Sequence, residues 1–214
     1  MADLRALAEA VKAGRAKEVK TMVTDAIAEG VSAESILNDG LVVGMTELGE
    51  MFKNNVVYVP EVLIAARAMK AGTEIIKPLL VEANVKSRGV VAIGTVKGDL
   101  HDIGKNLVGM MLEGAGFTVL DLGINVSPEQ FVDAVQNQGA QVIGMSSLLT
   151  TTMLSGKDIV EAIKAAGLRD KVRIMVGGAP VTQSFSDEIG ADGYAPDAAS
   201  AADLAKKLIA ELNG

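Results

Sequence analysis

The sequence has no cysteine and no tryptophan, a single histidine, and only 3% aromatic residues in a length of 214. Without thiols, disulfides, thiolate zinc sites, iron–sulfur clusters and cysteine nucleophiles are excluded together. With one imidazole, any function that needs such a group as metal ligand or base must use that residue, and a zinc site would be almost wholly carboxylate. Basic residues are in the minority, 20 Lys and Arg against 27 Asp and Glu, for a formal charge of −7. That balance disfavours nucleic acid and anionic membranes as nonspecific partners. No run reaches the roughly 18 apolar residues of a membrane-spanning helix. Met1 to Gly14 carries Asp3 and Glu9 without an uninterrupted apolar core, so no signal peptide is expected there. The expectation is a soluble, cytoplasmic protein. At 49% hydrophobic and 22% charged residues, the chain can bury one or two cores.

What is present changes character near residue 83. Before it, apolar residues recur at helical spacing. Leu4, Leu7 and Val11 form one stripe closed by Gly14, and Val19, Met22, Val23, Ala26 and Ile27 form a second closed by Gly30. Ser32 is placed to cap a third helix carrying Leu37, Leu41, Met45, Leu48 and Phe52. Pro60 stands where a first-turn proline belongs, ahead of Val62, Ala66, Met69, Thr73 and Ile76, and Pro78 is expected to break the pattern. These four helices predict a small bundle over 1–83, with a linker over 84–89.

From 90 to 214 short β-branched runs alternate with amphipathic stretches: Val90–Thr95, Phe117–Leu122, Val142–Ser146, Val172–Val176 and a weaker run at Asp192–Tyr194. Ser127-Pro128-Glu129-Gln130 combines an N-cap, a first-turn proline and a capping-box glutamine. The prediction is an α/β, flavodoxin-type five-stranded parallel sheet with helices on both faces. In such sheets ligands bind at the carboxyl ends of the strands. The loops there are 96–106, containing Gly98-Asp99-Leu100-His101-Asp102-Ile103-Gly104; 147–152, ending in Thr150-Thr151-Thr152; and Gly177-Gly178-Ala179-Pro180.

Several readings of these loops fail. Neither G-x-G-x-x-G nor G-x-x-x-x-G-K-[ST] follows the first strand. The third strand ends in Ser146-Ser147, which leaves a receiver-type phosphotransfer domain without its acceptor, and a Ser/Thr-rich flavodoxin phosphate loop is missing. Asp99 and His101 do have the ingredients of a ligated histidine. Two residues apart in an extended loop, their side chains point the same way, so the carboxylate can receive one imidazole N–H and raise the basicity of the other nitrogen. Imidazole suits first-row metals such as cobalt.

The motif Asp99-Leu100-His101-Asp102-Ile103-Gly104 is followed by 41 residues (105–145), then Ser146-Ser147-Leu148, then 28 residues (149–176), then Gly177-Gly178. In these elements and spacings the chain resembles the corrinoid proteins of cobalamin-dependent methyltransferase systems, including the cobalamin module of methionine synthase. The resemblance covers nearly the whole chain, because these carriers also begin with a four-helix module. It implies that His101 is the lower axial ligand of cobalt in place of the cofactor's own base, with Asp99 holding the histidine and Thr152 completing a relay where methionine synthases have serine. It implies contacts to cobalamin from Gly98, Leu100, Asp102, Ile103 and Gly104. Its nucleotide tail would descend between the third and fourth loops, past Ser146, Leu148, Thr150, Gly177, Gly178 and Ala179, with Tyr194, Asp197 and Ala198 on the far wall. Phe52 and Val59 would cap the methyl-bearing face, and Lys53–Val59 would be a pivot.

The implied activity is methyl shuttling by Co(I)/methyl-Co(III) cycling. The partners would be a substrate-specific methyltransferase, an acceptor methyltransferase using tetrahydrofolate or a thiol cofactor, and a reactivating reductase. With no zinc site and no large barrel of its own, the chain reads as one component of such a system and not as a complete enzyme. A cobalamin-sensing regulator would need a DNA-binding module, for which the acidic chain has no spare length. A small subunit of an adenosylcobalamin mutase would share the loops but generally lacks the helical module.

Overall fold

A computed structural model describes residues 2–214. The chain divides into two compact units: one extends to Ser87 and takes in Glu113–Gly116, and the other comprises Arg88–Leu112 and Phe117–Gly214.

The first unit is helical throughout. Helix α1 (Leu4–Lys12) begins where the Asp3 carboxylate accepts the Ala6 N–H, and α2 spans Ala16–Ala28. Gly14 and Gly30 follow these helices with φ of 71° and 80°, the left-handed conformation that ends a helix without a Cβ penalty. Ser32 caps α3 (Ala33–Ser35) through the Ser35 N–H. The helix then widens into a π segment, Ile36–Leu41, before α4 (Val42–Lys53). Sequence periodicity carries no sign of that wide turn. The close packing of this unit rests on Gly44, where a Cβ would lie 2.5 Å from the Ala8 carbonyl oxygen of α1.

Helix α5 (Val59–Glu82) starts at the Tyr58-Val59-Pro60-Glu61 capping box and corrects one expectation, because it continues through Pro78. A proline removes a single N–H, and the buried Val62, Ala65, Ala68, Met69 and Ile76 hold the helix to its neighbours through tertiary packing.

The second unit is a five-stranded, wholly parallel sheet in the order β2-β1-β3-β4-β5. Its strands are β1 (Val90–Thr95), β2 (Thr118–Asp121), β3 (Val142–Ser146), β4 (Arg173–Gly177) and β5 (Gly193–Ala195). The first and third coincide with the predicted runs, and the fourth and fifth begin one residue late because the apolar run and the hydrogen-bonded ladder need not share ends. The helices are α6 (Ile103–Gly114), α7 (Pro128–Gln136), α8 (Thr150–Met153), α9 (Ser155–Ala165), α10 (Gln183–Ile189) and α11 (Ala198–Asn213).

Alternation along the strands assigns the two faces. Ala92, Ile143, Met145, Ile174 and Val176 join Phe131 of α7, Ile159 and Ile163 of α9 and Phe185 of α10 in one core. The opposite face meets α6, where Gly109 approaches Ile93, and α11, where Leu204 lies over Gly193. Helices thus cover both faces, which is why these strands read as nearly continuous apolar runs.

Candidate functional site

Strand register builds the site's floor. Thr95 of β1 pairs with Ser146 of β3, Ser146 with Gly177 of β4, and Gly177 with Ala195 of β5. The loops after β1, β3 and β4 therefore leave from one row. The pairing continues a step further, with Val96 N–H on the Ser146 carbonyl and Ser147 N–H on that of Gly177.

At the centre of this row stands Asp99, wholly buried. Its Oδ1 accepts His101 Nδ1–H at 2.7 Å and the His101 backbone N–H at 3.1 Å. Its Oδ2 accepts the Leu148 N–H at 2.8 Å and the Thr152 hydroxyl at 2.7 Å. Burial by itself would raise the Asp99 pKa, but these donors from Leu148, Thr152 and His101 outweigh it and hold the carboxyl well below the usual carboxylate range. As a carboxylate, Asp99 is an acceptor only, so it selects the Nδ1–H tautomer of neutral His101 and leaves Nε2 with a lone pair. The imidazole is 51% exposed. A buried, oriented anion thus presents a nitrogen ligand at the surface.

Sequence reasoning missed one member of the cluster. Ser147, buried, lies 2.9 Å from the Thr152 hydroxyl and 3.4 Å from Asp99 Oδ2. Thr152 has one proton to give, and the charged acceptor at 2.7 Å takes it. The Ser147 hydroxyl can then donate to Thr152. Ser146, one residue earlier and half-buried, joins the row through its backbone and stands outside this hydroxyl pair. No local pattern distinguishes the two serines; only the strand's alternation decides which side chain turns toward Asp99.

Two further braces were also unforeseen. Asn125, after β2, accepts the Gly98 N–H on Oδ1 at 2.8 Å and donates its own N–H to the Asp99 carbonyl at 3.0 Å. Lys105, 3% exposed in the first turn of α6, pairs with Asp121 Oδ1 at 2.6 Å and Asn106 Oδ1 at 2.7 Å.

The glycines differ in kind. Gly178 has φ of 124°, and a Cβ there would lie 1.8 Å from the Ser147 carbonyl oxygen; one at Gly177 would lie 3.0 Å from the Ala195 carbonyl oxygen. Close approach within the chain itself is what these two positions require. Gly104 is the reverse case, since a Cβ would meet no atom within 4 Å. It fronts open space three residues after His101, and the loops that leave this sheet edge carry exposed apolar side chains, among them Leu100, Ile103 (81% exposed), Leu148 and Leu149. Asp102 is exposed and accepts the Asn106 side-chain amide at 3.0 Å.

The other candidates lie further out. Thr150 opens α8 and is exposed, as is Ala179. Tyr194 is half-buried in β5, and Ala198, the first residue of α11, is buried. Asp197 is the N-cap of α11, with its oxygens taken by the Ser200 N–H and hydroxyl, each at 2.8 Å. Phe52, half-buried near the end of α4, and Val59, exposed at the start of α5, lie in the helical unit on either side of the turn 53–58.

Among the described residues no three of His, Cys, Asp and Glu cluster to enclose a metal ion. One exposed imidazole suits instead a metal whose remaining ligands come from a planar macrocycle, and the open space at Gly104 with the exposed apolar side chains of these loops fits such a group. The donor set fits a corrinoid.

Comparison with known proteins agrees. Residues 89–203 match a B12 binding domain model and residues 3–77 match a second B12 binding domain model. The chain is 43% identical over 208 residues to dimethylamine corrinoid protein 1 of Methanosarcina acetivorans, covering 97% of each chain. It is 39% identical over 212 residues to a corrinoid protein of Desulfitobacterium hafniense, covering 98% of each. It superposes on a cobalamin-binding protein structure from Desulfitobacterium hafniense with a TM-score of 0.82 and 30% identity, over 97% of this chain and 99% of that one. With the methanol:cobalamin methyltransferase complex of Methanosarcina barkeri the TM-score is 0.84 and the identity 31%, over 95% of this chain and 78% of that one. No helix among the described residues is long and apolar enough to cross a membrane. By its fold, its spaced motifs and these similarities, the chain belongs to the B12-binding corrinoid proteins of methyltransferase systems.

Proposed function

We propose that this protein holds cobalamin with the cofactor's own base detached and His101 in its place, and carries a methyl group between two methyltransferases. The observation that carries this reading is the half-exposed His101 imidazole, fixed through Nδ1 by buried Asp99 so that Nε2 keeps its lone pair. Bound there, the corrinoid supplies a cobalt centre that is strongly nucleophilic when reduced and that accepts and releases methyl groups. The chain's own contribution is to orient the ligand and to stabilise positive charge on the imidazole through Asp99. His101 would hold the cobalt of the bound corrinoid through Nε2, while Asp99 keeps the ring's orientation through Nδ1.

Ser146, Leu148, Thr150, Gly177, Gly178 and Ala179 would line the nucleotide tail, with Tyr194, Asp197 and Ala198 beyond them, while Thr152 completes the relay through Asp99. Phe52 and Val59 are the residues assigned to the methyl side, and 1–83 and 90–214 the two domains joined by 84–89. The names of the dimethylamine and trimethylamine relatives, and the methanol system among the similar structures, support a small methylated compound as methyl source. A separate methyltransferase would bind it, a second would take the methyl group onward in the cytoplasm, and a reductase would restore the inactive cofactor.

The test is electron paramagnetic resonance of cob(II)alamin, made by mild reduction of hydroxocobalamin bound to protein labelled with 15N-histidine. An axial 15N nitrogen splits each cobalt line in two, whereas the cofactor's own 14N base splits it in three. Doublets that vanish in His101→Ala are the expected result; triplets or no retained cobalamin would sink the reading. Reduction with titanium(III) and addition of a methyl donor then tests carriage.

A further inference from the structure

His101 is held by one side-chain contact and is half exposed, so its aim depends on the backbone of the turn 96–101. That turn is anchored from an unexpected place. Thr95, the last residue of β1 and wholly buried, donates its hydroxyl to the His101 carbonyl oxygen at 2.8 Å, reaching across six residues. Thr95 is itself held through both its peptide groups to the segment after β2, its N–H on the Gly123 carbonyl at 3.0 Å and its carbonyl accepting the Val126 N–H at 2.9 Å. It also occupies the row with Ser146, Gly177 and Ala195 from which the site's loops leave.

We infer that Thr95 is a positioning residue that locks the imidazole of His101 in its ligand-presenting orientation by tying the histidine's carbonyl to the end of the central strand. The inference rests on the proposed axial role of His101. The physical argument is one of rigidity transfer. A single bond from Asp99 fixes the ring's Nδ1, but the ring can still follow any movement of its own main chain. The Thr95 hydroxyl removes that freedom by attaching the main chain at His101 to a strand hydrogen-bonded on both sides. A polar side chain at the end of β1, facing its own loop and not the apolar core, is otherwise costly to bury. Threonine and serine supply the donor, and valine has the same shape without it.

The histidine can be read without the cofactor, because it is the only one in the chain. In 15N-histidine protein, the Nδ1–H proton bonded to Asp99 is expected as a slowly exchanging, downfield resonance. Thr95→Val should accelerate its exchange about tenfold, the factor expected for loss of one buried hydrogen bond, while Thr95→Ser keeps it. If Thr95→Val does not fold, the same comparison is made between Thr95→Ala and Thr95→Ser, which differ by the hydroxyl oxygen alone. Loaded with cob(II)alamin, the valine or alanine variant should lose most of its 15N doublet at unchanged total cobalt, and the serine variant should retain it. Equal Nδ1–H exchange and equal doublets in hydroxyl-bearing and hydroxyl-free variants would overturn the inference. If the wild-type protein shows no doublet, axial ligation fails, while the exchange comparison in cofactor-free protein still decides the role of Thr95.

Discussion

Asp99 and two glycines concentrate the chemistry of the site at the scale of single residues. Asp99 is held ionised by hydrogen bonds that exist only in the folded chain, so its native pKa lies below its unfolded one. The stability it contributes is therefore complete above the ordinary carboxylate pKa of about 4 and is lost as pH falls through the native value. Acid unfolding followed by circular dichroism should show this loss in wild type and a flatter acid limb in Asp99→Asn. The glycines separate folding from function. Gly178→Ala sets a Cβ 1.8 Å from a backbone oxygen and should destabilise by about 2 kcal/mol or more. Gly104→Ala meets nothing and stands inside α6, so thermal unfolding should change by no more than about 1 kcal/mol, in the stabilising direction. The same variant should nonetheless weaken hydroxocobalamin retention in a spectrophotometric titration; unaltered retention would mean that no ligand approaches this position.

Elements answer to packing more than to local propensity. The Ser127-Pro128-Gln130 box was legible because all its parts are within four residues, and the Gln130 side chain does accept the Ser127 N–H at 3.0 Å. Pro78 misled because its penalty is local while the forces that hold α5 together are distributed over five buried side chains on the same helix. Replacing it by alanine restores a backbone donor and should raise denaturant stability by about 1 kcal/mol or more. Gly44→Ala should do the opposite, separating α1 from α4 at a cost of about 2 kcal/mol, measured as a lower midpoint in urea. A charged cluster sits near this contact, where Glu47 of α4 binds Arg5 and Lys12 of α1, the latter at 2.9 Å. Hydrogen bonds from Arg5 and Lys12 lower the Glu47 pKa, and the partial exposure of these groups makes the cluster salt-sensitive.

For the whole molecule, ligand linkage is the broadest test. Cobalamin that binds the native chain and not the unfolded one should stabilise by about 2.7 kcal/mol at a hundredfold excess over Kd. Hydrogen exchange should slow in 96–105, 146–152 and 177–180, because those segments leave one edge of the sheet. Stabilisation without protection there would place the ligand elsewhere.

The sequence by itself determined the class of fold, the parallel sheet and the pairing of Asp99 with His101. Each is written in short-range terms: apolar periodicity, β-branched runs between turn residues, and two polar side chains at a spacing of two. The absence of cysteine and the single histidine narrowed the chemistry further, since they left one nitrogen ligand to consider. Resemblance to a family named Thr152, but its contact with Asp99 and the rest of the site have a tertiary cause. Thr152 reaches Asp99 from 53 residues away because β1 and β3 are paired in register, and Ser147, not Ser146, joins them because neighbouring residues of an extended chain face opposite ways. Thr95, Asn125 and the Lys105–Asp121 pair work through hydrogen bonds between segments brought together by the sheet. Whether a glycine serves the backbone, as Gly178 does, or borders open space, as Gly104 does, depends on which atoms stand where its Cβ would be.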